Sequence, residues 1–383
     1  MDFDLSDDQR LLKESVGKLL GAHYGEFAKR RAYAAQPYGF EPGIWAEYAE
    51  SGILGLPFAE AHGGFGGGGV ETMLVMEAIG NALALEPYLT STVLCGDILM
   101  QSGNTALAEE FLPQLADGTK IIGLAQIERS SRHDLHDVSL TARTEGENYM
   151  LEGEKSIVIG GGVADAFVVS ARTSGNIRDK TGISLFLVDG KTAGVSRRSY
   201  PTQDGTQAAE ISFAQSRIPA ARMLGSIGEG LPILEHGVDT AIAGLCAEAV
   251  GVMDALVKLT VEYLKARKQF GVAIGSFQVL QHRAVDMHMM LELARSMAIY
   301  SALAIEQSDR AARHRAISAA KVQIGRSARF IGQQAVQLHG GIGMTMEYKG
   351  GHYFKRLTMI EQQFGDADHH LQQLAAAGAG LPE

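Results

Sequence analysis

The strongest constraint on the fold is a change of hydrophobic period that happens twice along the chain. Apolar residues recur at helical spacing as far as Leu115, and short β-type runs take over near Lys120. Helical spacing returns from about Leu231. At the N-terminal end, Ser6 followed by Asp7 and Asp8 reads as an N-cap with acids at the positive end of the helix dipole. Leu11, Leu12, Val16, Leu19 and Leu20 then lie at helical spacing, and further helices are expected over 44–51, 70–84, 90–101 and 106–115. The middle runs, 121–125, 138–143, 149–151, 156–159, 166–170, 183–188, 194–198 and 209–213, are separated by turn residues such as Gly146-Glu147-Asn148. Strands joined by turns rather than crossover helices imply an antiparallel sheet or barrel and exclude a dinucleotide-binding βαβ fold. Long helices follow over 234–263, 277–306 and 316–338, with a last one over 368–376 and breaks at Phe270-Gly271 and Gly340-Gly341. The expectation is an α+β chain: a helical domain over 1–120, a β-barrel-like domain over 121–228 and a helical bundle over 229–383.

A chain of 383 residues, 46% hydrophobic, buries enough surface to need neither disulfides nor a metal. Cys95 and Cys246 sit in apolar helical surroundings and read as buried free thiols of a reducing compartment. A net charge of −10 argues against nucleic acid as a partner. No apolar run of membrane-spanning length is apparent, and the acidic start Met1-Asp2-Phe3-Asp4-Leu5 is unlike a presequence, so a cytoplasmic protein is expected. The run from Gly63 to Gly69 (Phe65 its one other residue) has no preceding strand and no following Lys-Ser/Thr. It reads as a mobile helix–helix connection, with a phosphate cradle as the alternative. Ser131 to Asp137 and Asp366 to His370 mix His with Asp, yet neither has zinc or di-iron spacing, so no metal is expected.

Two segments exceed what packing requires. In the first, Tyr263 to Gly271 continuing to His282, a helix ends in cations, turns at a glycine and restarts with an amide side chain. Arg267 is suited to a bidentate pyrophosphate contact, or serves as a cationic C-cap. In the second, Gln337-Leu338-His339-Gly340-Gly341-Ile342-Gly343, glycines let a ligand approach backbone amides at a helix end, or simply cap the helix.

Together these segments resemble the R-x-x-F-G…F-Q-x-x-Q and Q-x-x-G-G-x-G signatures of the acyl-CoA dehydrogenase family. Phe3 to Gln9, and Trp45 through Gly52-Ile53-Leu54-Gly55, also fit the family, so the resemblance spans essentially the whole chain. Within the family it is similar to small-subunit chains of bacterial pimeloyl-CoA-type dehydrogenases, through Gly343 to Tyr348 and Phe364 to His370. The resemblance implies a helical N-terminal domain, a β domain and a C-terminal four-helix bundle, with FAD as cofactor and an acyl-CoA as substrate. It further implies an electron-transfer flavoprotein as acceptor and a homo- or hetero-tetramer. Arg267, Gln269, Phe270, Gln278, Gln337, Gly340 and Gly341 would serve the diphosphate and adenosine end of FAD, usually that of a neighbouring chain.

The chain departs from the family where the chemistry is. Abstraction of the α-proton needs a carboxylate base, which most members carry as a Glu immediately before a Gly. An ungapped count from Glu347-Tyr348 puts Phe364 there, before Gly365. Other members carry it on the helix before R-x-x-F-G, where this chain has Ala241-Ile242; Asp239 would reach that site only through a register shift. Glu235 and Glu248 share the helix and are expected to face elsewhere. At the flavin wall, Ile157 stands where the family has an aromatic and Ile159 where it has a hydroxyl, and the family's T-E-x-x-x-G-S-D is here Ile127-Glu128 to Asp134. The expectation is a heteromer in which a partner supplies the base. The alternatives are a homo-oligomer using Asp239, or a non-catalytic flavin- or acyl-CoA-binding scaffold.

Overall fold

The computed structural model describes residues 5–378, so Phe3 of the N-terminal motif lies outside the described residues. Helices α1 (Asp7–Tyr24), α2 (Phe27–Ala34), α3 (Pro42–Glu50), α4 (Gly69–Ala82), α5 (Gly96–Gln101) and α6 (Thr105–Ala116) come first, with a π-helix at Leu89–Cys95 running into α5. Strands follow as β1 (Ile122–Ala125), β2 (Thr141–Glu145), β3 (Asn148–Ile159), β4 (Ala166–Arg172), β5 (Ile183–Asp189), β6 (Val195–Pro201), β7 (Gln207–Pro219) and β8 (Met223–Leu224). The C-terminal part is α7 (Leu231–Ala266), a small hairpin of β9 (Lys268–Gln269) and β10 (Val272–Ala273), then α8 (Gln278–Ala304), α9 (Arg310–His339), α10 (Lys349–Gln362) and α11 (Ala367–Ala376). Helical, β and helical parts thus follow in the expected order.

Ser6 caps α1 as its sequence requires, and Gln9 returns a bond to the Ser6 N–H to complete a capping box. The sheet runs in the order β6-β7-β3-β2-β4-β5-β8, with β1 pairing β4. Two readings need correction here. The runs 149–151 and 156–159 are one strand, β3, interrupted by register shifts between Leu151 and Gly153 and between Lys155 and Val158. The sheet is mostly antiparallel, but β1 and β2 both lie parallel to β4, since neither is joined to it by a hairpin. Helix α10, absent from the sequence expectation, fills the stretch between the glycine turn and Gln363. The glycine-rich connection is not loose: Gly66 N–H bonds Phe58 O at 2.7 Å and Gly67 N–H bonds Leu56 O at 2.8 Å.

The chain forms two compact units that do not follow chain order. One takes the residues up to Arg31, Gly69–Ala84 and everything from Ile242 onward; the other takes Ala32–Gly68 and Leu85–Ala241. Both cysteines are buried and free. Among the described residues, α7 alone is long and apolar enough to cross a membrane, but 83% of its apolar window is buried inside the protein, which makes it a core helix.

Candidate functional site

The two sequence segments meet in the first unit. Helix α7 ends at Ala266, and the hairpin that follows turns at Phe270-Gly271, whose φ angles are +55° and +83°. Positive φ at both central residues is the type I′ geometry that suits a tight hairpin, so Gly271 is needed there and Phe270 is strained. Phe270 is 91% exposed, with its ring edge-on to Phe277 at 6.2 Å. The hairpin is closed by Ile274 N–H bonding Arg267 O at 2.8 Å, and Gln281 Nε2 holds the next turn through Gly275 O at 2.9 Å. Gln281 of the F-Q-x-x-Q signature therefore has a structural task. On the facing helix, α9 stops at Gly340, which adopts φ +61°, ψ −142°. Few side chains tolerate that conformation.

These elements enclose a cavity of about 410 Å³ whose lining includes Arg267, Gln269, Arg283, Gln337, His339 and Gly340. Of the expected cofactor residues, Arg267, Gln269, Gln337 and Gly340 come together here, while Phe270, Gln278 and Gly341 lie outside the lining. Two residues escaped the sequence reading. Arg283 adds a second guanidinium, steadied by Gln334 Oε1 at 3.4 Å. His339 is 3% exposed, its Nδ1 bonds Ala335 O at 2.8 Å, and burial lowers its pKa. Its ring packs against Tyr263 at 4.7 Å and Tyr348 at 5.0 Å, with the Leu259 backbone also close to it.

The candidate base positions are empty or occupied by structural contacts. Phe364 is half-buried at φ +56°, and its carbonyl accepts from His370 Nε2 at 3.1 Å. His370 Nδ1 lies 3.1 Å from Ser318 Oγ. The preceding turn is fixed by buried Lys321, whose ammonium donates to Glu361 O at 3.1 Å and to Ile360 O, the last carbonyls of α10. Ala241 and Ile242 are buried and carry no acid. Glu248 is held bidentately by Arg356, with 2.5 Å from Nε and 2.7 Å from Nη2, so its carboxylate is spent. Asp239 is 1% exposed and has a partner.

In the second unit, strand β3 is anchored by a buried ion pair. Lys155 Nζ lies 2.7 Å from Glu128 Oε1, 3.1 Å from Ser170 Oγ and 3.2 Å from Gln126 O. Glu128 also accepts from Ser139 N–H at 2.9 Å, Leu140 N–H at 3.0 Å and the Ser139 hydroxyl. Burial alone would raise the Glu128 carboxyl, but the Lys155 ammonium and these donors outweigh it and hold the pKa down. Just past Lys155, the strand bulges and puts Ile157 at φ +52° and 46% exposed. A β-branched residue there is a backbone outlier, of the kind that collects at functional walls. Ile157 offers a small aliphatic face where the family offers a ring.

Three family models cover nearly the whole chain: acyl-CoA dehydrogenase N-terminal domain over residues 6–119, middle domain over 123–216 and C-terminal domain over 228–379. The probable acyl-CoA dehydrogenase YngJ of Bacillus subtilis is 28% identical, with 98% of this chain and 99% of that protein aligned. The FAD complex of PigA is 27% identical with a TM-score of 0.89, covering 99% of each chain. The ChsE4-ChsE5 complex from Mycobacterium tuberculosis shares the fold at 24% identity and a TM-score of 0.88, covering 100% of each chain. With all three domains matched in order, the chain belongs to the acyl-CoA dehydrogenase family of FAD-dependent oxidoreductases.

Proposed function

We propose that this chain is the base-lacking subunit of a heteromeric acyl-CoA dehydrogenase, donating its Arg267 cavity to a flavin that a catalytic partner uses. The observation that carries this reading is the fate of the carboxylates. Phe364 and Ala241 stand at the two positions for the family base, and Glu248 is consumed by Arg356. A phenyl ring takes no proton, and a carboxylate fixed in a buried bidentate pair is already committed. Asp239 is buried and partnered, which disfavours it as a base. The shared fold of the ChsE4-ChsE5 complex supports the use of this architecture in assemblies of two chains.

The cavity's chemistry fits the diphosphate end of FAD. Arg267 and Arg283 offer paired donors to phosphate oxygens, and Gln269 and Gln337 offer amides to adenosine. Gly340 leaves the helix end without a side chain in the way. Phe270, Gln278 and Gly341 are exposed and would face the partner's surface. When bound, FAD accepts the β-hydrogen as hydride. This chain's own share is to hold the dinucleotide, while the α-proton goes to a carboxylate of the partner. By the same reading, the substrate is an acyl-CoA and an electron-transfer flavoprotein takes the electrons.

The test is purification of the chain alone and with its candidate partner, followed by flavin and acyl-CoA titration. The lone chain is expected to hold little flavin and to leave it oxidised; the pair is expected to bleach it. Full flavin loading with rapid bleaching in the lone chain would defeat the proposal.

A further inference from the structure

A larger cavity lies elsewhere in the first unit, on residues with no part in the site above. It measures about 590 Å³ and is walled by α1, α4, α7 and α10, with Arg295 of α8 at its rim. Folded interiors are packed to crystal density, and several hundred cubic ångströms is the size range of small-molecule sites. The space is kept open by short residues on facing helices: Gly17 and Gly21 of α1, Ala78 and Ala82 of α4, and Ala255 of α7. A Cβ built on Gly17 or Gly21 would meet no atom within 4 Å, so the glycines are not there to relieve a clash.

The charge of the lining runs against the charge of the chain. Five basic residues (Lys13, Arg30, Lys258, Arg295 and Lys349) face three acids (Glu77, Asp254 and Glu262), a surplus of two in a protein of net charge −10. Two of the three acids are heavily used, and the third, Glu262, is exposed. Glu77 takes Arg295 at 2.9 Å and Lys13 at 3.7 Å, and Asp254 takes Lys258 at 2.7 Å and Arg295 at 3.5 Å. Arg30 is 4% exposed and spends its Nε on the Leu83 carbonyl at 2.7 Å. Lys349 is half-buried and makes no ion pair among the described residues. It begins α10, whose first turn has no acid and whose N-cap, Tyr348, makes no side-chain cap bond. A cation there adds to the positive end of the dipole instead of offsetting it. Leu20, Leu74, Leu259 and Phe27 supply an apolar floor.

We infer that this cavity is a binding site for a small organic anion, a carboxylate or phosphate with an apolar or aromatic body, seated with its charge toward Lys349 and Arg30. The inference does not depend on whether the chain is catalytic. The test uses the full chain, with octanoate, AMP and inorganic phosphate as separate probes in calorimetry and thermal shift. Two variants accompany the wild type. Gly21→Leu puts bulk into the cavity from a position where a Cβ meets no atom within 4 Å, and favours the helix, and Lys349→Gln removes the unpaired cation. The expected result is saturable binding of octanoate or AMP, with affinity at least about tenfold lower in both variants, roughly 1.4 kcal/mol. The unfolding midpoint and flavin binding should stay in place. Octanoate against AMP distinguishes a carboxylate from a nucleotide ligand. The inference is overturned by no saturable binding of any probe, by phosphate binding as well as both organic anions, or by binding indifferent to Gly21→Leu.

Discussion

Replacing Glu128 with Gln keeps the shape of the side chain and removes only its charge. Lys155 is then left 0% exposed, with neutral acceptors alone: Gln126 O at 3.2 Å and Ser170 Oγ at 3.1 Å. Its ammonium already titrates low, near 8, because burial disfavours the charge, with Glu128 acting in the opposite direction. Breaking a buried pair from one side typically costs about 3–5 kcal/mol, since the survivor's desolvation is no longer offset. The Gln carbonyl still accepts one of the two main-chain N–H groups of the 139–140 turn, and loss of the other bond adds about 1 kcal/mol, a smaller share than the stranded cation. We expect a loss of about 3–5 kcal/mol at pH 7 in urea unfolding followed by circular dichroism. Lys155→Met added to Glu128→Gln should recover most of it, because the stranded cation is gone. Strand β3 also carries Ile157, so flavin affinity of the assembly should fall in the single variant and return in the double. A single-variant cost below about 1 kcal/mol, or a double variant no better than the single, would refute the reasoning.

Arg267→Ala should lower the flavin content of the assembled pair at least tenfold while leaving the lone chain's unfolding midpoint unchanged, read by absorbance after gel filtration. Asp239→Asn should leave flavin reduction by the assembly unaltered; loss of reduction with flavin retained would reinstate Asp239 as the base. His370 is held at a pKa of about 3 by burial, with Lys321 beside it adding to the effect. The folded state therefore refuses a proton that the unfolded chain takes up near pH 6.5. This group's contribution to stability is complete above about pH 6.5 and declines as pH falls toward 3. Acid unfolding monitored by fluorescence should show that slope, and His370→Gln should flatten it.

The sequence carried the order of helical and β parts, the Ser6 cap and the pair of motifs, because each is written in local spacing. What it hid is tertiary. Arg283 looks like any helix cation until α8 brings it beside Arg267 at the end of α9. Glu128 was legible as part of a departed motif, but its pairing with Lys155 depends on β3 lying beside the loop after β1. Helix α10 opens Lys349-Gly350-Gly351, and two glycines in a first turn hide a helix that tertiary packing sustains. Strand β3 read as two because its bulges break the period-two alternation that defines a strand.

The interleaving of the two units has a consequence during synthesis. Helix α1 packs on α4, which follows early in the chain, but the rest of their unit lies from Ile242 onward and emerges more than two hundred residues after α1. At ordinary elongation rates of about 5–20 residues per second, that is a wait of roughly ten to forty-five seconds. Throughout it, α1, with its buried Val16, Leu20 and Tyr24, has α4 to pack on but lacks the long helices of its unit. The second unit, whose segments lie between Ala32 and Ala241, is complete before the first can close. The nascent chain thus carries an α1–α4 pair with one face uncovered beside a finished second unit, which makes that pair the natural place for a chaperone to bind.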